Sequence, residues 1–506
     1  LPDRGYAFAR PLGLLLTTYV LWMGGSLGLL RNSVGGALFS LLVVAALSLI
    51  IYQRGRSEGD PGLLRWLRDN GRLVLAVELL FLGALALWSL VRAYSPELTT
   101  AGGEKFMEIM YLNSIGRSEY FPPLDAWLSG FAISYYYFGY VMIAMLARLS
   151  GFPAHMIFNV GLALLFALTC TGGFGVVYNL VRGVKDRDAE AEQEDSAEPA
   201  RPARPIAWGF LGAILVAVLG NLQGFLEVLY SSQLLPPGFW QWLDIKDINQ
   251  PIDPTVAPSL MPARSGWWWW RASRVIHDLD PQGNSMGIQP IDEFPGFSFL
   301  LGDMHPHVLA LPFVLLALAL ALNALKSGTE APPLEEDKGW LEPLKQLSLL
   351  VPLCLGALVF LNTWDFPIYW LVLVAAYGLG QWERYGRLGR PLLRDLVVTG
   401  GVLGVLSILL YLPFYIGFQS QAGGLLPTLY VGTRFRQYLV MFGPFLVAIA
   451  GLLIVLLRRL TVQLPLRKVL RSWAGWTAAV LLLPLAFMLL LVLALLLIPQ
   501  GQELLE

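Results

Sequence analysis

Two of the four histidines in this chain lie close together in the run Gly302-Asp303-Met304-His305-Pro306-His307, just ahead of an apolar segment that begins at Val308. Carboxylates and imidazoles are costly to desolvate beside a membrane, so a cluster of them there usually has a task. If the run is extended, residues 303, 305 and 307 point to one face, and Pro306 favours extended or turn backbone at His305. That arrangement presents one carboxylate and two imidazoles, Asp303, His305 and His307, to a divalent metal such as Mn, Mg or Zn. Handling a phosphate or a proton is a second outcome. The third is a helix N-terminus, with Asp303 capping free amides while the histidines meet water or lipid phosphate.

Three other segments carry groups capable of chemistry. In 95–130, Glu104, Glu108 and Tyr111 fall at i, i+4 and i+7, so a short helix places both carboxylates on one face. A carboxylate held partly desolvated can serve as a general base; the plainer alternative is a solvated surface helix. Lys105, Asn113, Arg117, Asp125 and Trp127 in the same segment are further candidates for a cleft. In 232–307, Arg264, Arg271, Arg274 and His277 precede Asp292-Glu293, and arginine forks suit phosphate oxygens. The four tryptophans 267–270 fit a boundary anchor better than a sugar platform. The knot Asn362-Thr363-Trp364-Asp365 offers a third acid, although a hairpin turn explains it equally well.

These groups must be positioned by helices that live in lipid. The chain has 506 residues, 56% hydrophobic and 14% charged, against roughly 25% charged in soluble domains. Apolar stretches long enough to span recur at 12–30, 34–52, 73–93, 156–182, 206–231, 308–325, 346–361, 366–382, 396–416, 438–457 and 474–498. The expected fold is an all-α polytopic membrane protein of about 11 transmembrane helices, one domain over 1–506. The net charge of −1 carries no nucleic-acid footprint. Cys170 and Cys354 both lie in apolar segments, which excludes a disulfide framework. The chain starts with Leu and shows no cleavable leader, so an internal piece of a longer protein is expected. Oligomeric state is not legible.

Arginine-rich loops 53–72, 383–395 and 458–472 read as cytoplasmic. That places 95–130 and 232–307 outside, on a multi-pass protein of the cell membrane. Linker 183–205, with alternating charges, Pro and Ala, reads as cytoplasmic and disordered. Parity then allows only one of 131–149 and 156–182 to cross. The tyrosines 135, 136, 137 and 140 make 131–149 the candidate for an interfacial or re-entrant segment.

The run Ile133-Ser134-Tyr135-Tyr136-Tyr137-Phe138-Gly139-Tyr140 resembles the signature of the YYY membrane protein family of bacteria and archaea. Pro122 to Trp127, Glu293-Phe294-Pro295, Gly302 to His307, Asn362 to Pro367 and Leu1 to Tyr6 resemble its other blocks, over nearly the whole chain. That family is grouped with the GT-C glycosyltransferases. The resemblance implies a GT-C-like bundle with interfacial helices in the first large external loop, where a catalytic acid sits. It implies a polyprenyl-phosphate sugar donor and an active face outside the cytoplasm. By position Glu108 is the carry-over, with Glu104 as its substitute; relatives often have Pro-Met-Asp where this chain has Phe106-Met107-Glu108. Tyr136, Tyr137, Asn362, Trp364 and Asp365 would line the cleft, and Arg271, Arg274, His305 and His307 would meet the donor phosphate. The competing class is a transporter or flippase of lipid-linked sugars, which would place charge near the midplane. Glu78 and Glu227 are the acids that fall well inside expected spans.

Overall fold

The computed structural model describes residues 1–463 except 56–61, 99–101, 195–203, 251–254, 263–267, 281, 288–289, 331–347, 387–388 and 420–431; beyond 463 it describes scattered positions. In chain order the helices are α1 (Ala9–Ser26), α2 (Val34–Arg54), α3 (Leu63–Asp69), α4 (Gly71–Tyr94), α5 (Lys105–Arg117), α6 (Phe138–Ser150), α7 (Ala154–Glu194) and α8 (Pro205–Ala217). They continue with α9 (Gln223–Ser231), α10 (Pro237–Leu243), α11 (Pro295–Leu301), α12 (Pro306–Glu330), α13 (Leu350–Leu361), α14 (Asp365–Tyr385), α15 (Arg390–Leu409), α16 (Leu412–Gly417) and α17 (Phe435–Gln463). No strand is present among the described residues.

Among the described residues six helices are long and apolar enough to cross a membrane: α2, α4, the Ala154–Gly183 part of α7, the Pro306–Ser327 part of α12, α15 and the Phe435–Arg459 part of α17. Eleven spans were expected; two of the expected stretches are interrupted or short. The stretch 206–231 is two helices, because Asn221 breaks the run and its Oδ1 accepts the Gln223 amide 3.0 Å away at the start of α9. The stretch 346–361 holds only the 12-residue α13, too short for a bilayer of about 30 Å at roughly 1.5 Å per residue. The expected span at 474–498 falls largely outside the described residues. The linker read as disordered from 183 instead continues α7 as helix to Glu194, and 195–203 lie outside the described residues.

The chain divides into two compact units, 1–219 with 298–421 and 220–297 with 422–506. In the first, α7 and α12 form the centre. α7 packs against α4 and α8, and α12 against α7, α13 and α14. Beside them Trp22, Phe138, Phe360 and Tyr411 build a fully buried aromatic knot, with Phe138 and Phe360 stacked at 5.0 Å. Arg10 pairs with Glu78, which also accepts from the Tyr6 hydroxyl at 2.7 Å, so the acid inside α4 is neutralised within the bundle. In the second unit α9, α10 and α17 enclose a smaller core around Trp240, Ile245 and Val440.

The segment from α4 to α7 returns to the end of the bundle it left. Asn159 of α7 accepts from the Arg92 Nε of α4 at 2.9 Å and donates to the Pro96 carbonyl at 3.2 Å. α5 and α6 therefore make no net crossing between them, and the 13 residues of α6 measure about 20 Å. Tyr137 and Tyr140, expected at headgroup depth, are instead buried in the protein at 3% and 0% exposure. Aromatic surface on α6 serves packing, since Phe138 to Met145 are all buried.

Close helix contact depends on glycine at the α7–α8 seam. A Cβ at Gly212 would lie 2.7 Å from the Gly173 carbonyl oxygen and 2.5 Å from Val177. Small residues let helices approach where water gives no drive to associate. Gly212→Ala should lower stability by about 1–3 kcal/mol, read as a lower melting midpoint in detergent. Gly83→Ala, with nothing near its Cβ, should not.

Candidate functional site

The charged groups of the first unit converge where the start of α5 meets the turn ahead of α12. Gly102 and Gly103 both have positive φ, 74° and 75°, which brings the chain into α5 at a sharp angle. The Gly103 backbone lies so near the Asp303 carboxylate that a Cβ would sit 2.7 Å from it. The next amide, of Glu104, donates to both Asp303 oxygens at 3.1 and 3.3 Å. On the other side Gly302 has a φ of 71°, and a Cβ there would collide with the Arg92 guanidinium. Two glycines thus let 302–305 be clamped between α5 and α4.

The clamp is completed by backbone hydrogen bonds. The Met304 amide donates to Glu108 Oε2 at 2.7 Å, and the Met304 carbonyl accepts from the Tyr140 hydroxyl at 2.9 Å. The predicted single face of Glu104 and Glu108 is present: His305 Nδ1 lies 3.7 Å from Glu104 Oε2 and 3.5 Å from Glu108 Oε1. Asp303 Oδ2 is 3.7 Å from the same nitrogen. Glu108 is fully buried, Asp303 nearly so, and the Glu104 side chain is 56% exposed. One imidazole is thus ringed by three carboxylates graded from interior to solvent.

Burial, and then the neighbouring Asp303 charge, push the Glu108 carboxyl well above its ordinary value; the Met304 amide opposes this only in part. Lys105 is shifted the other way, mainly by burial and next by the Arg92 charge, with Asp303 and Glu108 restoring some of its affinity for a proton. Tyr111 and Tyr135 stack at 5.3 Å; burial raises both, followed by Tyr135 for Tyr111 and by the Glu104 and Glu108 charges for Tyr135. The site thus sets two buried carboxylates, Glu108 and Asp303, beside two buried cations, Lys105 and Arg92.

Glu108, Asp303 and His305 each place a ligand atom within 4.8 Å of the others, the metal-capable group found among the described residues. Two of those atoms, Glu108 Oε1 and His305 Nδ1, are buried without a hydrogen-bond partner. Two carboxylates and one imidazole suit Zn or Mn, and Mg through its oxygens. The donor set therefore fits a divalent ion. It differs from the set expected from sequence in one member. Pro306 opens α12, so His307 sits in its first turn and meets Ser298 Oγ at 3.1 Å, while Glu108 takes the third place.

The other expected site residues are spread more widely. Asn113 and Arg117 lie toward the far end of α5, five and nine residues or about 7.5 and about 13 Å along the axis from Glu108. There they line a separate cavity of about 450 Å³ with Arg148. Asp125 is engaged by the Trp127 and Leu128 amides at 2.8 and 2.9 Å in a local turn, and Trp127 is exposed. The Tyr136 ring packs on Tyr135 and Phe418, while Tyr137 accepts from Trp22 Nε1 at 3.3 Å in the core. Asn362 donates to Asp365 at 3.1 Å as a helix-opening turn; His307 acts electrostatically on Asp365, and Trp364 is half exposed.

Arg271, Arg274 and Glu293 belong to the second unit. Arg271 makes a two-pronged pair with Glu227 at 2.6 and 2.8 Å, and Arg274 covers the Trp270 ring at 4.8 Å. Trp267 lies outside the described residues. Sequence inspection gave no site role to Arg92, Gly103 and Asn159, and read Tyr140 as an interfacial tyrosine. A double glycine before a helix bearing two acids, and an arginine closing an apolar span, were the available signals.

The raised Glu108 carboxyl has a consequence for stability. Its proton is held more tightly in the folded than in the unfolded chain, so the metal-free fold keeps its full contribution below the ordinary value of 4.5. That contribution is lost as pH rises through the shifted value. The melting midpoint of chelator-treated protein should fall across that range, and Glu108→Gln should flatten the dependence. A wild-type profile with no such fall would contradict the shift.

No curated protein and no solved structure matches the chain. A family model described as "Uncharacterized membrane protein (DUF2298)" matches residues 16–501. With its helices, apolar spans and buried polar site accounted for within that match, the chain belongs to the DUF2298 family of membrane proteins.

Proposed function

We propose that the chain is a membrane glycosyltransferase of GT-C type. It transfers a sugar from a polyprenyl-phosphate-linked donor to an acceptor on the extracytoplasmic face. The observation that carries this reading is the graded ring of Glu104, Glu108 and Asp303 around His305, at one end of the spans α4, α7 and α12.

Exposure divides the labour among the acids. Glu108 was the expected base, but it touches no solvent, so an acceptor hydroxyl reaches Glu104 first. Glu104 takes the acceptor proton as the acceptor oxygen attacks the anomeric carbon. The bond from that carbon to the phosphate oxygen breaks, and its electron pair leaves with the lipid phosphate. Glu108, Asp303 and His305 would hold a divalent metal, which as a Lewis acid would stabilise the charge growing on the departing phosphate. Lys105, buried near Asp303 and Glu108, offsets part of their charge.

The flippase alternative is less well served. Two acids lie within described spans: Glu78 is fixed by Arg10 and Tyr6, and Asp395 by Tyr385 and Arg394. Glu227 lies in the nine-residue α9 and is bound by Arg271. None of the three is poised to load or release cargo.

Sugar transfer from a polyprenyl-phosphate donor in proteoliposomes tests the proposal. Glu104→Gln should cut the rate by about 10²–10⁴-fold, as loss of a general base does, with metal affinity unchanged. Asp303→Asn should weaken Mn binding by about 10–100-fold, read by calorimetry without turnover. Undiminished transfer by Glu104→Gln would remove it as base. Lipid translocation without bond cleavage by the wild type would favour the flippase.

A further inference from the structure

The cavity of about 450 Å³ at the Arg117 end of α5 stands apart from the acid ring. The 13 residues of α5 put Arg117 about 20 Å from Glu104 along the helix axis. The cavity lies where α5 and α6 end and where α7 begins. Its volume is ordinary for a small-molecule site. One wall is apolar, formed by Leu112, Ala144, Ala147, Phe152 and Ile157. The charged members are Arg117 and Arg148, and among the described residues no acid lines it.

Both arginines have donors to spare. Arg117 is exposed and makes no hydrogen bond or ion pair among the described residues. Arg148 is half-buried. Its Nη2 donates to the Gly116 carbonyl oxygen at 2.7 Å, its Nε is covered without a partner, and its Nη1 is neither bonded nor covered. Capping the end of α5 therefore explains one edge of Arg148 and leaves Nη1 and the whole of Arg117 unused. Burial pulls the Arg148 guanidinium below its ordinary value, a cost that a bound anion relieves. The Asn113 amide nitrogen is spent on the Ile109 carbonyl at 2.9 Å, so the polar demand of the cavity is that of the two arginines. Planar N–H donors suit the paired oxygens of a carboxylate. A phosphate brings a further oxygen and a second charge, which the apolar wall would leave unmet.

We infer that this cavity binds a small amphiphilic carboxylate, its oxygens on Arg117 and Arg148 and its apolar part against Ala144, Ala147 and Ile157. A bare carboxylate such as acetate would leave the apolar wall wet, and a neutral molecule would leave Arg148 uncompensated. Seated about 20 Å along α5 from Glu104, such a ligand touches no reacting atom. The site therefore goes beyond the glycosyltransferase reading and does not rest on it.

The test is calorimetric titration of the full chain in nanodiscs of zwitterionic lipid with N-acetylleucine, its uncharged amide, acetate and inorganic phosphate. N-acetylleucine should bind about tenfold or more tightly than each of the other three. Arg117→Gln, at an exposed position, should weaken it by about tenfold or more, and so should Ala147→Trp, which fills the cavity. Should Ala147→Trp fail to fold, Arg117→Gln decides. Arg31→Gln, also exposed but outside the cavity walls, should leave binding unchanged. Wild-type affinity in either folded cavity variant overturns the inference. So does equal binding of the amide or of inorganic phosphate, or an equal loss in Arg31→Gln, which would mark diffuse surface charge. Displacement of N-acetylleucine by phosphatidylglycerol would assign the cavity to a lipid headgroup and overturn it as well. Failure of sugar transfer would count against the enzymatic reading and leave this one standing.

Discussion

Three carboxylates around one imidazole, one of them at zero exposure, is an arrangement that repels itself unless positive charge is supplied. The protein supplies some through Lys105 and, next to it, Arg92, and some by holding a proton on Glu108. A divalent cation would do so more completely, because it meets the two buried ligand atoms that hydrogen bonding leaves unsatisfied. Buried charge without compensation costs several kcal/mol, which is large against total stabilities of about 5–15 kcal/mol. The surrounding structure can therefore be understood as machinery for holding these acids together.

That machinery is mostly backbone. Gly103 lets the chain touch the Asp303 carboxylate, and Gly302 lets it pass the Arg92 guanidinium. Tyr140, buried in α6, fixes the Met304 carbonyl, while Glu108 fixes the Met304 amide. α6 makes no crossing of its own; it carries tyrosines from the aromatic core to the polar turn. The tyrosine run thus links the packed interior to the site and does not float at the boundary. Its Tyr135 ring stacks on Tyr111 of α5, and the neighbouring acids add to the burial that raises both phenols.

How far the sequence discloses this depends on the residue. Asp303 and His305 are legible because charge at the mouth of an apolar segment is conspicuous, and Glu104 with Glu108 because helical spacing puts them on one face. The place of His307 was misjudged because Pro306, read as keeping the run extended, instead starts α12 and turns the next side chain toward Ser298. Glu108 was expected as a partly desolvated base, but local spacing carries no information on how completely it is covered, and Met304 comes from 196 residues away. Arg92 was invisible for a related reason: an arginine closing a span reads as a boundary residue until tertiary contact buries it. The stretch 206–231 reads as one span because hydropathy blurs the break at Asn221, whose Oδ1 accepts the Gln223 amide.

The central claim is that Glu108, Asp303 and His305 form one charge-compensated centre. Anomalous diffraction from crystals of the protein equilibrated with Mn tests it most directly. The account predicts a single strong peak within bonding distance of all three side chains, about 2.0–2.3 Å from nitrogen and oxygen ligands. A peak on Asp303, His305 and His307 with Glu108 turned away, or no peak at this turn, would contradict it.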